Sequence, residues 1–386
     1  MQNYTQKYRI YPTKEQEEFF AKSFGCCRFV YNNLLSESKD KNYKSRFENQ
    51  IKIKELKQTF PWLKEVNSQS LQWICRNLDL AFKSFFKKIH KYPRFKKRKN
   101  KQSFHCPQFV KIEDGKLFIP KLKQGIKIKL HRPIRGKVCN CTIIKTPSGK
   151  YYVCIGVEWI APKLEPNDKM VGLDLGSKTL VVLSDGTEYP NIKPYRSLEK
   201  RLRIRNKALS RSEKGSKSRE QKRIKLAKLH EKIANIRSNH LHQMTTQIIR
   251  ENQTIVCEDL NAEGMKKNRK LAKTISDVSF GEIVRQLTYK AKLYGRTLIQ
   301  VDRFFPSSKL CSCCGIKNEE LKLEDREWQC KNCYSIHDRD FNASINILNE
   351  GKRIVGTTRL ADCPDVSHNS IMQLVGSETP LSLVAG

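Results

Sequence analysis

Two Cys-x-x-Cys pairs are the feature that most constrains what this chain can fold into. Cys311 and Cys314 form the first pair, Cys330 and Cys333 form the second, and fifteen residues lie between them. A two-residue gap lets both sulfurs of one turn reach a single Zn²⁺, and a loop of this length brings the second pair to the other side of the ion. The spacing therefore predicts a structural zinc finger, because four thiolates leave no open coordination position.

Other interpretations of the same cysteines carry less weight. Disulfides or merely buried thiols are the alternative, but a chain of 386 residues with metal spacing does not resemble a small secreted disulfide framework. Cys313 stands only one residue from Cys311, so it is interpreted as a bystander. His337 is an alternative ligand that could replace one sulfur. The cysteine usage as a whole predicts a reducing compartment.

The charge balance points to a polyanionic partner. Lys and Arg number 75 against 39 acidic residues, a formal net charge of +36. Because such an excess repels itself in a compact chain, a nucleic acid is the expected partner, although a ribosomal or chromatin protein would show the same balance. The amino terminus has no apolar signal region and no run of 18 apolar residues occurs. We therefore expect neither export nor a membrane partner.

The first half of the chain predicts a helical block inserted into a small barrel. Tyr4 to Tyr11 alternates like a strand, Pro12 ends it, and Thr13 with Gln16 has the pattern of a capping box that opens a helix. A second helical stretch is predicted between Phe60 and Phe86. From Phe104 to Glu158 the pattern changes to short strands with turn residues, and the last two form a predicted hairpin.

A basic and aromatic segment follows the helical block. Lys83 to Lys101 holds ten basic residues, no acidic ones and four aromatic rings. A solvated charged face is the plain alternative, but basic residues mixed with rings suit a surface that follows a phosphate backbone and stacks bases. The predicted nucleic-acid-binding residues here are Arg94, Phe95, Lys96, Lys97 and Arg98.

The second half of the chain has an α/β pattern. Two strands are predicted around a turn at Gly176, and another strand ends at Glu258. Between them, Lys200 to Arg237 holds fifteen basic residues against three acidic ones, with a helical apolar stripe, and so predicts a cationic helical surface. Ser279 and Glu282 predict a capping box for a helix that stops at Gly295.

Three acids fall at the ends of predicted elements in this half. Asp174 and Glu258 belong to strands, and Asp340 lies just ahead of a short helical run. Each alone is more often a cap or a surface charge. Together they could hold two Mg²⁺ ions, which need carboxylate oxygens and can activate a water for phosphodiester hydrolysis. GLDLGSKT also resembles the first phosphate loop of actin-like ATPases and sugar kinases, but the second glycine-rich aspartate loop of those folds is missing.

These motifs together resemble the TnpB (OrfB) family of small insertion sequences, which are RNA-guided endonucleases related to type V CRISPR effectors. The resemblance rests on GLDLG with Asp174, VCEDLN with Glu258, and SSKLCSCCG, WQCKNC and HDRDFNAS with Asp340. YRIYPTKEQ, CRFVYN and YPRFKKRK resemble the family's amino-terminal block and its basic boundary. The match runs almost from end to end, and the combined cysteine and DRDFNAS signature is highly specific.

The resemblance implies a multidomain α/β fold. It consists of a RuvC-like, RNase H-type nuclease domain with an inserted zinc finger, and a small wedge-like β-barrel carrying an inserted α-helical recognition lobe. The implied ranges are 1–11 and 103–165 for the barrel, 12–102 for the lobe, 166–305 and 337–350 for the nuclease, 306–336 for the zinc finger and 351–386 for a mobile carboxyl tail.

The resemblance also implies roles for residues and partners. Asp174, Glu258 and Asp340 correspond to the catalytic ligands of Mg²⁺, whereas Asp338 is expected to be a helix cap. The implied partners are a guide RNA made from the element's end and double-stranded target DNA beside a short transposon-associated motif. Asn67, Ser68, Gln69 and Gln72 would meet that motif, since amide side chains can bond to adenine edges; ordinary helix-start residues are the even alternative.

Two other functions stay open at this point. A guided DNA-binding protein that does not cut, such as a repressor, is expected to lack one or more of the three acids, and all three are present here. A strand-transferring transposase would need a separate catalytic motif, which we do not find. A prokaryotic cytoplasm, on nucleoid DNA, is the expected location.

Overall fold

The computed structural model describes residues 2–40, 43–99, 101–261, 264–265, 267–322 and 324–361. Two compact units emerge from the contacts. The first combines the chain up to Ala161 with Lys200–Lys232, and the second combines Pro162–Glu199 with the described residues from Ile233 onward. The predicted domain ranges do not follow this division, which groups Lys200–Lys232 with the first unit, and they stay predictions.

The first unit is built around an antiparallel sheet, in which the described part of the chain contributes seven strands in the order β2-β6-β7-β1-β5-β4-β3. The β6–β7 hairpin agrees with the sequence prediction. β1 lies in the same sheet, where it pairs with β7. Whether the sheet closes into the predicted barrel stays a prediction. The strands are β1 (Gln2–Tyr11), β2 (Gln102–Cys106), β3 (Lys111–Glu113), β4 (Lys116–Phe118), β5 (Ile126–Lys129), β6 (Lys137–Lys145) and β7 (Tyr151–Trp159).

The described residues between β1 and β2 form three α-helices and one short 3-10 helix (Pro61–Lys64). The α-helices are α1 (Lys14–Asp40), α2 (Arg46–Thr59) and α3 (Ser68–Phe86). The predicted capping box at α1 is confirmed, because Thr13 and Gln16 exchange side-chain and backbone hydrogen bonds at 3.1 and 3.3 Å. The sequence prediction missed α2. Its apolar residues lie on two faces, with Ile53 buried and Phe47 exposed, so no single stripe marks the helix.

The second unit contains a mixed sheet of five described strands in the order β10-β9-β8-β11-β12. β8 runs parallel to β11 and antiparallel to β9, and β11 runs parallel to β12. The strands predicted on either side of Gly176 and before Glu258 are confirmed. Their bounds are β8 (Met170–Leu175), β9 (Thr179–Leu183), β10 (Glu188–Pro190), β11 (Thr254–Glu258) and β12 (Thr297–Val301), while β13 (Glu327–Gln329) and β14 (Ile336–Asp338) form a separate ribbon.

The later helices are α4 (Pro194–Ser210), α5 (Lys217–Glu251), α6 (Arg269–Val278), α7 (Phe280–Tyr294) and α8 (Arg339–Ala361). The capping box predicted at α7 is wrong. Ser279 adopts a left-handed backbone, so its hydroxyl donates to the Ser276 carbonyl at 3.0 Å instead of capping the helix. The helix stop at Gly295 is confirmed by its left-handed conformation and the hydrogen bond from its N–H to the Ala291 carbonyl.

The predicted tail from residue 351 begins inside helix α8, which continues to Ala361, and its mobility stays a prediction. Gly351 lies so close to Val256 that an added Cβ would stand 2.4 Å from a Val256 methyl carbon, and Ile354 packs against the same cluster. This packing on the sheet extends the helix although its sequence is polar. Residues 362–386 of the predicted tail lie outside the described residues.

Candidate active site and metal cluster

Asp174 and Glu258 stand side by side at the carboxyl ends of two parallel strands. Leu173 on β8 is the register partner of Cys257 on β11, so the next residue on each strand is a carboxylate. Strand neighbours lie about 4.8 Å apart, and alternate side chains share one face. Asp174 therefore shares its face with Gly172, and Glu258 shares its face with Val256.

Helix α8 crosses this same face and carries the third acid. An added Cβ at Gly172 would stand 2.1 Å from the Ser344 carbonyl oxygen, so only glycine lets the helix lie so close to β8. Asp340 is one helical turn before Ser344, in the first turn of α8. Asp338 caps the helix, as its Oδ1 accepts a bond from the Phe341 N–H at 2.8 Å. The fold therefore points all three acids toward one region.

The carboxylates act on each other electrostatically. Asp174 is buried, and its pKa is raised from 3.8 to about 8 by that burial and then by the charges of Glu258 and Asp340. Burial also raises the pKa of Glu258. A hydrogen bond that the Ser307 hydroxyl donates to Glu258 at 2.5 Å acts in the opposite direction and lowers this pKa. Such mutual repulsion without a cation is typical of a site that binds metal ions.

The three carboxylates are more widely spaced than the cysteines. The three acids are not among the groups of described His, Cys, Asp and Glu residues whose ligand atoms all lie within 4.8 Å of one another. Each of those groups contains Cys311. Asp340 instead pairs with Arg326, whose Nη1 donates to both carboxylate oxygens at 3.2 and 3.0 Å. The sequence prediction missed this arginine, which lies between the two cysteine pairs.

Three further polar residues that the sequence prediction missed fix the loop beside Glu258. The buried Asn346 on α8 donates to the Ser307 and Leu310 carbonyls at 2.8 and 2.7 Å. Asn342, one turn earlier, also donates to Leu310 at 2.7 Å. Their spacing of four residues on one helix face is a signal that the sequence held. The two amides tie the entry of the cysteine segment, and with it Ser307, to the helix that carries Asp340.

The four predicted zinc ligands converge. The sulfurs of Cys311, Cys314, Cys330 and Cys333 all lie within 4.8 Å of one another. Cys311 Sγ is 3.5 Å from Cys333 Sγ, and Cys314 Sγ is 3.6 Å from Cys330 Sγ. A disulfide would bring two sulfurs to about 2.05 Å, whereas Zn–S bonds of about 2.3 Å place tetrahedral sulfurs about 3.8 Å apart. The four sulfurs are therefore spaced as in a Zn²⁺ site, and they are too far apart to be joined as disulfides.

The environments of the two outer thiols differ. Hydrogen bonds from Ser335 lower the pKa of Cys333, which favours its thiolate form. Burial raises the pKa of Cys311 to about 12, so binding of a cation there would release a proton. Cys313 is exposed, but with Cys311 and His337 it forms a second set of possible ligands within 4.8 Å.

Three family models match the chain. The OrfB model described as "Probable transposase" matches residues 151–269, the Cas12f1-like TNB domain matches residues 280–347, and a helix-turn-helix domain of the same OrfB family matches residues 1–46. The last two matches together cover the cysteine cluster, Asp340 and the amino-terminal block.

Two relatives settle the family. A Streptomyces pristinaespiralis protein, provisionally named an RNA-guided DNA endonuclease, is 37% identical over 356 residues, which are 89% of this chain and 88% of the relative. The InsQ protein of Escherichia coli K12, provisionally named in the same way, is 31% identical over 90% of this chain and 92% of its own. The chain belongs to the TnpB (OrfB) family.

The fold of this TnpB chain also has a solved counterpart. It resembles the protein in the cryo-EM structure of a Cas12f1–sgRNA–target DNA complex with a TM-score of 0.54 at 16% identity, over 88% of this chain and 84% of the other. The likeness shows a Cas12f-like fold. No helix within the described ranges is long and apolar enough to cross a membrane.

The TnpB chain presents a cationic helical hairpin made of α4 and α5. Part of its charge holds the hairpin together: Arg219 donates to the Leu209 and Ser212 carbonyls at 2.8 and 2.6 Å, and Arg205 donates to the Lys225 carbonyl at 2.5 Å. Other basic side chains are exposed along both helices. They include Arg203, Lys207, Arg211, Lys214, Lys217, Lys225, Lys228 and Lys232. We call these exposed side chains the hairpin surface.

The residues predicted to read a DNA motif have different surroundings. Asn67 is the N-cap of α3, and its side chain accepts a bond from the Gln69 N–H at 3.1 Å. Ser68 accepts a bond from Lys57 at 2.6 Å, and Gln69 donates to Gln108 at 2.9 Å. Gln72 is exposed on the next turn. Asn67 therefore has a structural task, while Gln72 is free to face a ligand.

The predicted basic segment also contains both exposed residues and one residue held by the fold. Arg94, Phe95, Lys97 and Arg98 are exposed. Lys96 is not, because its ammonium lies 4.1 Å from the Tyr31 ring centre and its backbone N–H donates to Asn32 at 2.8 Å. Burial lowers the pKa of Lys96. This lysine anchors the segment to α1.

Proposed function

We propose that this chain is an RNA-guided DNA endonuclease that hydrolyses phosphodiesters with Asp174, Glu258 and Asp340 as its catalytic metal ligands. The observation that carries the proposal is the placement of Asp174 and Glu258 on the face that α8 covers, with the charge of Asp340 acting on Asp174. The names of the two full-length relatives support the guided endonuclease activity.

The fold supports an RNase H-type, RuvC-like nuclease domain. In chain order, the five described strands of the second unit lie as 3-2-1-4-5, with the second strand antiparallel to the first. The two carboxylates stand at the carboxyl ends of the central pair, which is where functional side chains meet in such sheets. The antiparallel sheet of the first unit supports a wedge-like domain, and its three helices support a recognition lobe.

Each residue in and around the acid site has a separate role in this proposal. Two Mg²⁺ ions, when bound, would supply an activated water and stabilise the leaving oxygen of the phosphodiester. Asp174 would release a proton on binding a cation, because burial and the charges of Glu258 and Asp340 raise its pKa to about 8. Ser307 orients Glu258, and Asn346 holds Ser307. Arg326 holds the Asp340 carboxylate beside the site.

The partners in this proposal are a guide RNA and a duplex DNA target. In guided nucleases, base pairing reads the sequence, while the protein contacts backbones and a short duplex motif. The net charge of +36 and the hairpin surface suit such backbone contacts. The cysteine cluster would hold one structural Zn²⁺. Nucleoid DNA in a reducing cytoplasm stays the predicted place of action.

The proposal is tested with the purified full chain, the RNA that co-purifies with it after sequencing, and plasmids carrying the matching target in Mg²⁺. We expect Asp174→Asn to lower the cleavage rate on the order of 10³-fold while target binding is kept. Asp168→Asn is the matched control, since Asp168 is an exposed acid just before β8. Equal cleavage by Asp174→Asn and the parent would refute the catalytic roles. Target capture without cutting by the parent would favour a guided binding protein.

A further inference from the structure

His337 lies between the cysteine cluster and Asp340. It is the central residue of β14, three positions before Asp340, and its side chain is only 6% exposed. Its ring packs on Trp328, the residue opposite it in the ribbon, with ring centres 4.8 Å apart. A polar ring that is buried in this way needs a hydrogen-bond partner.

That partner is a sulfur of the cluster. His337 Nε2 lies 3.1 Å from Cys311 Sγ. Two ligands of one Zn²⁺, a nitrogen at about 2.0–2.1 Å and a sulfur at about 2.3 Å, would stand about 3.6 Å apart in a tetrahedron. The observed distance is shorter than that, and four sulfurs already converge without the histidine. Because the four sulfurs already form a complete tetrahedral donor set, the contact is assigned as a hydrogen bond to a ligand sulfur and not as a further metal bond.

The strand that carries His337 also sets the position of the acid. In the ribbon, Asp338 is the register partner of Glu327, and the next N–H, from Arg339, donates to the Arg326 carbonyl at 2.7 Å. Asp338 then caps α8 through Phe341. A shift of β14 would thus move Arg326 and Asp340 together, since both are held by the same ribbon.

We propose that His337 is a positioning residue that donates its Nε2–H to the Cys311 thiolate and so ties the metal cluster to the ribbon that carries Asp340. Hydrogen bonds of this kind orient metal ligands and tune their affinity. The donated bond also stabilises the negative charge that four thiolates concentrate at the site. The inference rests on the zinc assignment in the proposed function and extends it to a residue outside the ligand set.

The test compares His337→Gln, whose amide nitrogen can replace the ring donor, with His337→Phe, which keeps ring packing and removes the donor. Zinc affinity of the full chain is measured by competition with a chelator. We expect His337→Phe to bind zinc 10- to 100-fold more weakly, and His337→Gln to recover most of the loss. His230→Phe, at an exposed histidine, is the control and should match the parent.

Spectroscopy separates the hydrogen bond from ligation. In the Co²⁺-substituted parent we expect the charge-transfer bands of four thiolates, shifted in His337→Phe and restored in His337→Gln, and ¹⁵N NMR should show His337 protonated at Nε2. A parent spectrum of three sulfurs and one nitrogen, or a His337→Phe variant with unchanged zinc affinity and bands, would overturn the inference. A parent that binds no metal would instead refute the zinc assignment, and this inference with it.

Discussion

Arg326 holds both oxygens of Asp340, although the two residues belong to different parts of the chain. Arg326 lies between the cysteine pairs and Asp340 lies on α8, and the guanidinium reaches the carboxylate at 3.0 and 3.2 Å. Arg339 adds a weaker approach to the same carboxylate at 3.8 Å. A metal ion at Asp340 would therefore compete with the positive charge of Arg326 for the same carboxylate. We therefore expect the cysteine segment to influence the affinity of the acid site for cations.

The first prediction concerns the divalent ion. Arg326→Gln removes a positive charge next to Asp340, so we expect Mn²⁺, as a probe for Mg²⁺, to bind several-fold more tightly. Because the Arg326 side chain is 42% exposed, the free energy of unfolding should change by less than about 1 kcal/mol. Calorimetric titration with Mn²⁺ measures the affinity.

Lys331→Gln is the matched control for this experiment. It removes the same charge from the cysteine segment, but Lys331 pairs with Glu320 instead of an acid of the site. The control should leave the Mn²⁺ affinity near that of the parent. Weaker Mn²⁺ binding by Arg326→Gln would show that the arginine helps to form the metal site and does not compete with the ion.

The second prediction concerns pH. The pKa of the folded Asp174 is raised to about 8, mainly by burial, from the ordinary value of 3.8. Between these values the folded state binds more protons than the unfolded state, so the carboxyl lowers the free energy of unfolding as pH rises. The raised pKa of Glu258 acts in the same direction. Without added Mg²⁺, Asp174→Asn should therefore become progressively more stable than the parent from pH 5 to pH 8.

Chemical denaturation across this pH range measures the difference. Its slope is bounded by about 1.4 kcal/mol per pH unit for one proton. In the parent, the stabilisation by Mg²⁺ should grow toward pH 8, because the ion must displace the proton. A parent and a variant whose stability difference is constant with pH would mean that Asp174 is ionised throughout the range.

The residues of the acid site and the cysteine cluster could be predicted from the sequence, but their contacts could not. Strand ends and Cys-x-x-Cys spacing are local patterns, and they placed Asp174, Glu258 and the four cysteines correctly on their elements. Arg326 has no local pattern, since its importance arises from a ribbon that folds it back on α8. The role of Ser307 likewise depends on a hydrogen bond to Glu258, which lies on a strand 49 residues away in sequence, so no local pattern predicts it.

Errors in the fold prediction have similar causes. The predicted capping box at Ser279 had the right letters, but α6 ends one residue before it and forces a left-handed turn there. The end of α8 was placed too early, because its polar sequence hides the contact of Gly351 with Val256. Tertiary packing overrides local propensity at both points.

The third prediction concerns the metal cluster. Cys330→Ser removes a buried ligand, so the variant should lose its zinc and unfold at a lower temperature before any change in chemistry is observed. Cys313→Ser is the matched control, since Cys313 is exposed and lies outside the four-sulfur set. Elemental analysis and thermal unfolding measure both effects. A metal-free Cys330→Ser variant of normal stability would contradict a structural role.

The fourth prediction concerns the hairpin surface. Replacing Lys207, Arg211 and Lys214 by Gln removes three exposed charges, so RNA binding should weaken. The slope of log affinity against log salt should become shallower by about 2 to 3. Arg219→Gln removes a side chain whose hydrogen bonds join the two helices of the hairpin. This variant should have a lower free energy of unfolding, while the slope of log affinity against log salt stays nearly unchanged. An unchanged slope for the triple variant would exclude this surface from the RNA interface.

The last prediction separates the two kinds of residue at the start of α3. Gln72 is exposed, so Gln72→Ala should leave the free energy of unfolding within about 0.5 kcal/mol of the parent. If its amide reads a base edge, the variant should lose about 1–3 kcal/mol of discrimination between the preferred duplex motif and a single-base change of it.

Asn67 should behave in the opposite way. Its side chain caps α3, so Asn67→Ala should destabilise the chain by about 0.5–2 kcal/mol, and Asn67→Ser should restore most of the loss because serine also caps. Motif preference is measured by cleavage of a randomised duplex library, and stability by denaturation of the same preparations. If Gln72→Ala kept the parent's motif preference while Asn67→Ser changed it, base reading would belong to the cap residue, and the assignment of the two side chains would be reversed.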